Sequence, residues 1–415
     1  MSYLIEDYGL IGDTETAALV CRNGSIDWLC LPRFDTGACF AALLGGPENG
    51  RWWLGPSDPN PKVTRRYRDE TLILETEFLV DTGMVRVIDF MPIRGRPGTD
   101  RIDLVRIVEG VSGHVPMEMH LTFRFDYGSV VPWVTRHGAR LHAVAGPDAV
   151  VLDTPVAVHG EDWSTVAKFR VDNGERVPFV LTWHPSYISA PDPIDPGDAL
   201  SATERWWGDW IGQCRFEGEH REAVIRSLLT LKTLTYAPTG GILAAPTTSL
   251  PEALGGTRNW DYRYVWLRDA TFALYALIMC GYHSEAAAWR DWLLRTVAGN
   301  PESLRIMYGL AGERRLPEME LPWLPGYEHS LPVRIGNGAG DQIQMDVYGE
   351  VIDSMWLGSM HGLNPEKGAW DLQRALLEYL EGNWQREDQG LWEVRGPRRP
   401  FTHSRVMSWV AFDRV

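Results

Sequence analysis

The 415-residue sequence predicts a mixed chain, β first and α second: an antiparallel β-sandwich over residues 1–200, a linker over 201–216 and a helical unit over 217–415. Three observations carry this. Apolar residues recur with a period of two before about residue 190, and with a period of 3.6 after about residue 217. Between the two stretches lies Pro191-Asp-Pro-Ile-Asp-Pro-Gly197, which neither period can cross. The length also exceeds what one hydrophobic core usually organises.

The β elements follow in order. Thr71–Val80 and Met84–Met91 flank Asp81-Thr-Gly83, a hairpin signal. Short strand-like runs come next at Leu104–Glu109, Met117–Phe125, Ala149–Leu152, Trp163–Val171 and Val177–Trp183. Turn residues at short spacing between them favour an antiparallel sandwich. Helices are expected over Glu219–Tyr236, Arg268–Gly281, Ser284–Ala298, Asp341–His361, Glu366–Arg386 and from His403 to the end. Long loops rich in Gly, Pro and aromatics, Ala237–Val265 and Gly299–Gly340, join alternate helices, and loops of such length inside a compact region are usually functional. The final run, Val406–Val415, is apolar with no helix-stopping residue, so the chain is expected to be a fragment.

Composition narrows the function. With 40 basic and 55 acidic residues the net charge is −15, which gives no electrostatic pull toward nucleic acid or anionic lipid. The first residues carry Glu6 and Asp7 where a secretory signal needs an apolar core, and no run is long enough to span a membrane. Five cysteines without a CxxC pair indicate neither a disulfide framework nor a zinc site, so a reducing cytoplasm is expected. Tryptophan is abundant: 19, beside 14 Tyr and 12 Phe. Indole has a broad apolar face and one N–H donor, which suits the C–H face of a sugar ring as well as a protein core.

Two clusters carry chemistry. Gly256–Asp269 packs four aromatics, three arginines and two aspartates into a loop that enters a helix. Asp269 falls in the first helical turn, where the helix dipole favours an anion, and Arg268 offers a rigid donor fork. Together with the aromatic floor they make a hydroxyl-reading pocket; on composition alone they also make a capped helix with a surface ion pair. In Gly390–Gly396, Glu393 lies between Trp392 and Val394, with Arg395 two residues on. Apolar flanks would desolvate that carboxyl and raise its pKa, as a general acid at neutral pH requires.

These residues resemble glycoside hydrolase family 15, the glucoamylase-like enzymes that include bacterial trehalases. The family stretch Tyr-x-x-x-Trp-x-Arg-Asp matches Tyr262, Trp266, Arg268 and Asp269, and its Leu-Trp-Glu matches Leu391, Trp392 and Glu393. Ile5–Gly12 and Gly24–Phe34 also resemble prokaryotic members. The resemblance implies a sandwich followed by a partial (α/α)6 barrel, with 217–415 as the catalytic part. It implies an exo-acting, inverting hydrolase of α-glucosidic bonds with Glu393 as general acid. Tyr262, Trp266, Arg268, Asp269, Trp392 and Arg395 would bind an oligosaccharide, with no metal or other cofactor. Trehalose and short malto-oligosaccharides both stay open as substrates, and so does association of the chain with copies of itself. Val394 stands where fungal members carry a second acid, which leans away from long starch chains. The family's general base is expected beyond Val415.

Asp346, in Gln344-Met-Asp346, is a further candidate for the site; its plainer reading is a carboxylate on a helix surface. Gly336–Asp341 lacks the strand and the Gly-Lys ending of a phosphate loop. The rival function is a catalytically incomplete fragment that binds carbohydrate without cleaving it.

Overall fold

The computed structural model describes residues 3–95, 100–297, 300–363 and 367–415. It divides into two compact units. One comprises Met1–Gly212, Leu250–Asn259 and Pro322–Val333; the other comprises Gln213–Ser249, Trp260–Leu321 and Arg334–Val415.

The first unit is built of β1 (Tyr8–Gly12), β2 (Ala17–Cys21), β3 (Ser25–Cys30), β4 (Ala38–Phe40), β5 (Arg51–Pro56), β6 (Lys62–Tyr67), β7 (Leu74–Val80) and β8 (Gly83–Phe90). There follow β9 (Ile102–Thr122), β10 (Trp133–His137), β11 (Arg140–Ala145), β12 (Asp148–Asp153), β13 (His159–Glu161), β14 (Ser164–Asp172) and β15 (Arg176–Pro185). Every pairing among them is antiparallel. The predicted hairpin is β7–β8, closed at Val80↔Gly83.

The runs 104–109 and 117–125, read as separate strands, are parts of one 21-residue strand, β9. Its first half pairs with β8 and β15, and its second half with β5 and β14. The register slips between Met84 and Val85 opposite Gly110, and Gly113 has φ +63°. A bulge of this kind lets one strand pass from one sheet to the other. It takes the place of the turn expected between those two runs.

Side chains from both sheets form the core, with Ile26, Trp52, Phe40, Val108, Met117, Phe179 and Leu181 among them. Arg106 of β9 is wholly buried in this interior. It pairs with Asp89 of β8 at 2.7 Å, donates to the carbonyls of Trp52 (2.8 Å) and Gly24 (2.7 Å), and lies 5.3 Å from the Trp52 ring centre. One guanidinium therefore ties strands of both sheets.

Residues 201–216, expected as a linker, are helical as far as Ile211, within α1 (Pro196–Ile211). Asp195 caps this helix by accepting from the N–H groups of Gly197 and Asp198, with Pro196 at the first position. The proline run thus starts a helix. Part of the long loop 299–340 also belongs to this unit. Leu324 is buried, Trp323 Nε1 donates to the Tyr127 carbonyl (3.0 Å), and the Gly326 N–H donates to the Leu44 carbonyl (2.9 Å).

The second unit holds α2 (Arg221–Thr233), α3 (Leu267–Met279), α4 (His283–Val297), α5 (Asp346–Met360), α6 (Lys367–Asn383) and α7 (Thr402–Asp413). These match the expected helices to within a few residues, apart from the start of α5. Glu366, the expected start of α6, lies outside the described residues. Two short ribbons shape the loops: β16 (Val265–Trp266) with β17 (Met307–Tyr308), and β18 (Met319–Glu320) with β19 (Arg334–Ile335). Helix α5 packs between α3 and α7. The α7 face toward it is small, with Ser404, Ser408 and Ala411 buried. A Cβ on Gly349 would come within 2.2 Å of the Met407 carbonyl oxygen, so only glycine allows this approach. Among the described residues no helix is long and apolar enough to cross a membrane.

The buried ion pair yields a stability test. Asp89→Ala strands the Arg106 charge in the core, and breaking such a pair costs about 3–5 kcal/mol. Urea denaturation should show the loss as a lower midpoint with an unchanged slope.

Candidate active site

All six sugar-binding candidates and Glu393 lie in the second unit. The β16–β17 ribbon fixes Trp266, which occupies the position preceding α3 in extended backbone (φ −81°, ψ 130°). The helix then starts at Leu267 and places Arg268 and Asp269 in its first turn. Tyr262 stands beside Trp266, with ring centres 5.6 Å apart.

The loop carrying Glu393 is held at several points. Asp388, fully buried, accepts from the N–H groups of Met345 (2.7 Å) and Gly390 (3.0 Å), and its backbone pairs with Arg399 in both directions. Gln389 pairs with Ile343 through its N–H and through its side-chain oxygen. Gly390 has φ +67° and sits against the Phe401 ring, where a Cβ would come within 2.7 Å. Glu393 itself adopts φ +52°, a conformation uncommon outside glycine.

That backbone delivers the Glu393 carboxyl to Trp266. The indole Nε1 donates to Oε1 at 2.6 Å, Arg268 stands 3.9 Å from the same oxygen, and Gln342 donates to the Glu393 carbonyl at 3.1 Å. Arg268 also donates to Asp269 (2.8 Å) and to the Leu391 carbonyl (3.1 Å). Burial pushes the Glu393 carboxyl above the usual carboxylate range, against the opposing pull of the Trp266 hydrogen bond and the Arg268 charge. The direction matches the sequence reading, but the cause differs. Trp392 is 75% exposed and Val394 40%, so neither flank shields the acid; residues distant in sequence do.

The remaining candidate, Arg395, faces a different group. It donates to Glu318 (2.8 Å) and lies 4.5 Å from the Trp260 ring centre, while Arg334 lies 4.7 Å from the same ring. Glu318 also accepts from the Gly338 N–H (2.9 Å), and these partners hold its carboxyl below the ordinary value despite its burial. Trp260, Glu318 and Gln342 thus join the site without having been singled out in the sequence. Trp260 belongs to the aromatic-rich loop already noted; nothing local marks the other two.

Asp346 is fully buried, so it is not a helix-surface carboxylate. Neither of its oxygens has a hydrogen-bond partner among the described residues. His403 Nε2 lies 3.5 Å from Asp346 and 3.8 Å from Glu350, one turn further along α5. Burial raises both carboxyls. That of Glu350 is pushed up to about 7, the charge of Asp346 adding to the shift and that of Arg268 opposing it.

Comparison with known proteins gives the chain its family. Residues 218–415 match the family model "Glycosyl hydrolases family 15", and residues 2–184 match "Trehalase-like, N-terminal". The chain is 33% identical to trehalase 1 of Sulfolobus acidocaldarius, covering 98% of this chain and 70% of that one. It is 32% identical to the trehalase of Thermoplasma acidophilum, covering 95% and 68%. It belongs to glycosyl hydrolase family 15. A further family relative, the trehalase of Mycolicibacterium smegmatis, is 38% identical over 99% of this chain, which spans 65% of that relative's length. A bacterial glucoamylase crystallised with acarbose superposes with a TM-score of 0.65 at 13% identity, covering all of this chain and 67% of that one. The family-15 fold class, sheet-rich at first and helical afterwards, is the one the sequence predicts.

The Glu350 shift predicts a pH effect in this family-15 chain. Burial pushes its carboxyl up to about 7 in the folded chain, from the ordinary carboxylate value of 4.5. Between those values the folded state binds more protons, so stability falls as pH rises through this window. Glu350→Gln should therefore melt above the wild type at pH 7.5, and the difference should shrink by pH 4.5. Thermal melts across that range measure it.

Proposed function

We propose that this protein is an exo-acting, inverting glycoside hydrolase of α-glucosidic bonds, with trehalose as its substrate and Glu393 as the general acid. One observation carries the assignment of the acid: a desolvated carboxyl, raised in pKa, is held 2.6 Å from the Trp266 indole at the start of α3. Family membership supports the reaction class, and the name trehalase borne by the relatives supports the substrate.

The protonated Glu393 gives its proton to the glycosidic oxygen as the bond to the anomeric carbon breaks. Asp269 is partly exposed beside Arg268 and is placed to accept from ring hydroxyls. Positive charge develops on the sugar ring, and the carboxylates around Arg268 stabilise it where it forms. Inversion needs a carboxylate about 6.5–9.5 Å from the acid to activate water on the opposite face of the ring. Arg395, fastened to Glu318 and Trp260, would hold the leaving-group side. We assign the protein to the cytoplasm, since its five cysteines form no CxxC pair and no disulfide.

The decisive assay compares two substrates. Glu393→Gln should lower glucose release from trehalose by about 10²–10⁴-fold. It should largely spare α-glucosyl fluoride, whose leaving group departs without a proton. An equal loss on both substrates would remove Glu393 from the acid role. Trp266→Phe deletes a hydrogen bond that favours the carboxylate, so the basic limb of the pH–rate profile should move to higher pH.

A further inference from the structure

We propose that the sandwich unit carries a second carbohydrate site, a cleft between the edges of its two sheets that binds a short neutral oligosaccharide between Trp133 and Trp163. The cleft has a volume of about 480 Å³ and is lined by residues of β10 and β11 from one sheet and of β9, β13 and β14 from the other. That volume is inside the range of about 300–1,000 Å³ common to small-ligand sites. Phe123, Leu141 and Val158 supply its buried apolar lining.

Two tryptophans line this cleft with almost their whole surface in water, Trp133 at 83% and Trp163 at 82% exposure. Neither indole packs into the core. Trp163 and Asp162 form the two-residue turn between β13 and β14, with φ of +61° and +46°. A turn with both central residues left-handed favours Asn-Gly, and a bulky residue there is strained. The strain brings no packing in return, because the indole is exposed. It is held in place from below. Arg124, only 9% exposed, donates to the carbonyls of Phe123 (2.6 Å) and Trp163 (3.3 Å), and Thr122 and Ser164 share a hydroxyl hydrogen bond at 2.8 Å. Strain maintained by surrounding structure, at the rim of a cavity, is a mark of a ligand clamp.

The polar lining identifies the ligand class. Glu161 and Asp162 balance Arg124 and Arg136, so the charges offer little net attraction to either an anion or a cation. They do offer acceptors and forked donors to a molecule with hydroxyls on its edges and C–H groups on its faces. A pyranose presents both, and indole faces stack on its C–H side. The choice of α-linked glucose among sugars rests on the proposed function; the cleft itself does not.

Calorimetry with maltotetraose tests the site on the 415-residue chain carrying Arg268→Ala, which disables the helical-unit site. Binding should persist there and weaken at least tenfold on adding Trp133→Ala or Trp163→Gly. Glycine fits the left-handed turn, so Trp163→Gly should also melt at the same or a higher temperature, the reverse of what loss of a structural residue does. Affinity unchanged by both substitutions, or binding abolished by Arg268→Ala alone, overturns the proposal. Binding of cellotetraose in place of maltotetraose, still dependent on both tryptophans, supports the cleft and overturns the α-glucan choice. With the Arg268 side chain intact, Trp163→Gly should leave glucose release from trehalose unchanged. Absence of that release with cleft binding retained would remove the proposed reaction alone.

Discussion

The Arg268 guanidinium is the constraint on which the helical unit's chemistry depends. It reaches Asp269 in its own helical turn, the Leu391 carbonyl in the acid loop and, at 3.9 Å, Glu393. It thereby fastens the start of α3 to a loop some 120 residues further along the chain. Its charge also bears on the buried carboxyls of Asp346 and Glu350, opposing the rise that desolvation imposes on each. A single cation so placed lets several acids share a small volume without all being charged. Like charges in a low-dielectric setting favour keeping protons in place, and the cation opposes that effect.

The sandwich has a counterpart in Arg106. A guanidinium there, wholly out of water, satisfies a carboxylate and two carbonyls across both sheets. The two arginines differ in what they leave available. Arg106 has matched partners on every side and serves the fold. Arg268 remains partly exposed next to the open side of Asp269, where a ligand can still reach.

How much of this was readable in the sequence depended on whether a signal was local. The β7–β8 hairpin and most helices announce themselves through spacing and turn residues. Tyr262, Trp266, Arg268 and Asp269 are close in sequence and stay close in space. Other features needed tertiary information. The runs 104–109 and 117–125 read as two strands, yet they are halves of one bent strand. Asp195 and Pro196 are start signals for α1, masked by the proline run around them. Trp392 and Val394 flank Glu393 in sequence but point away, and its apolar neighbour, Trp266, is 127 residues distant. Asp346 has a helical spacing compatible with either face of α5, and only the approach of α3 and α7 decides that it is buried.

The route of the chain through the first unit bears on how it can be made. Strand β9 needs β5 and β8 from before it and β14 and β15 from after it, so the sheets stay unfinished until about residue 185 has been synthesised. Even then the unit lacks 250–259 and 322–333, which bring Leu324 and the Trp323 hydrogen bond. At about 5–20 residues per second those segments follow by roughly four to thirty seconds. The nascent sandwich must wait that long with its docking surfaces open. Its completion is therefore tied to emergence of the helical unit, so the two units cannot mature strictly one after the other on the ribosome.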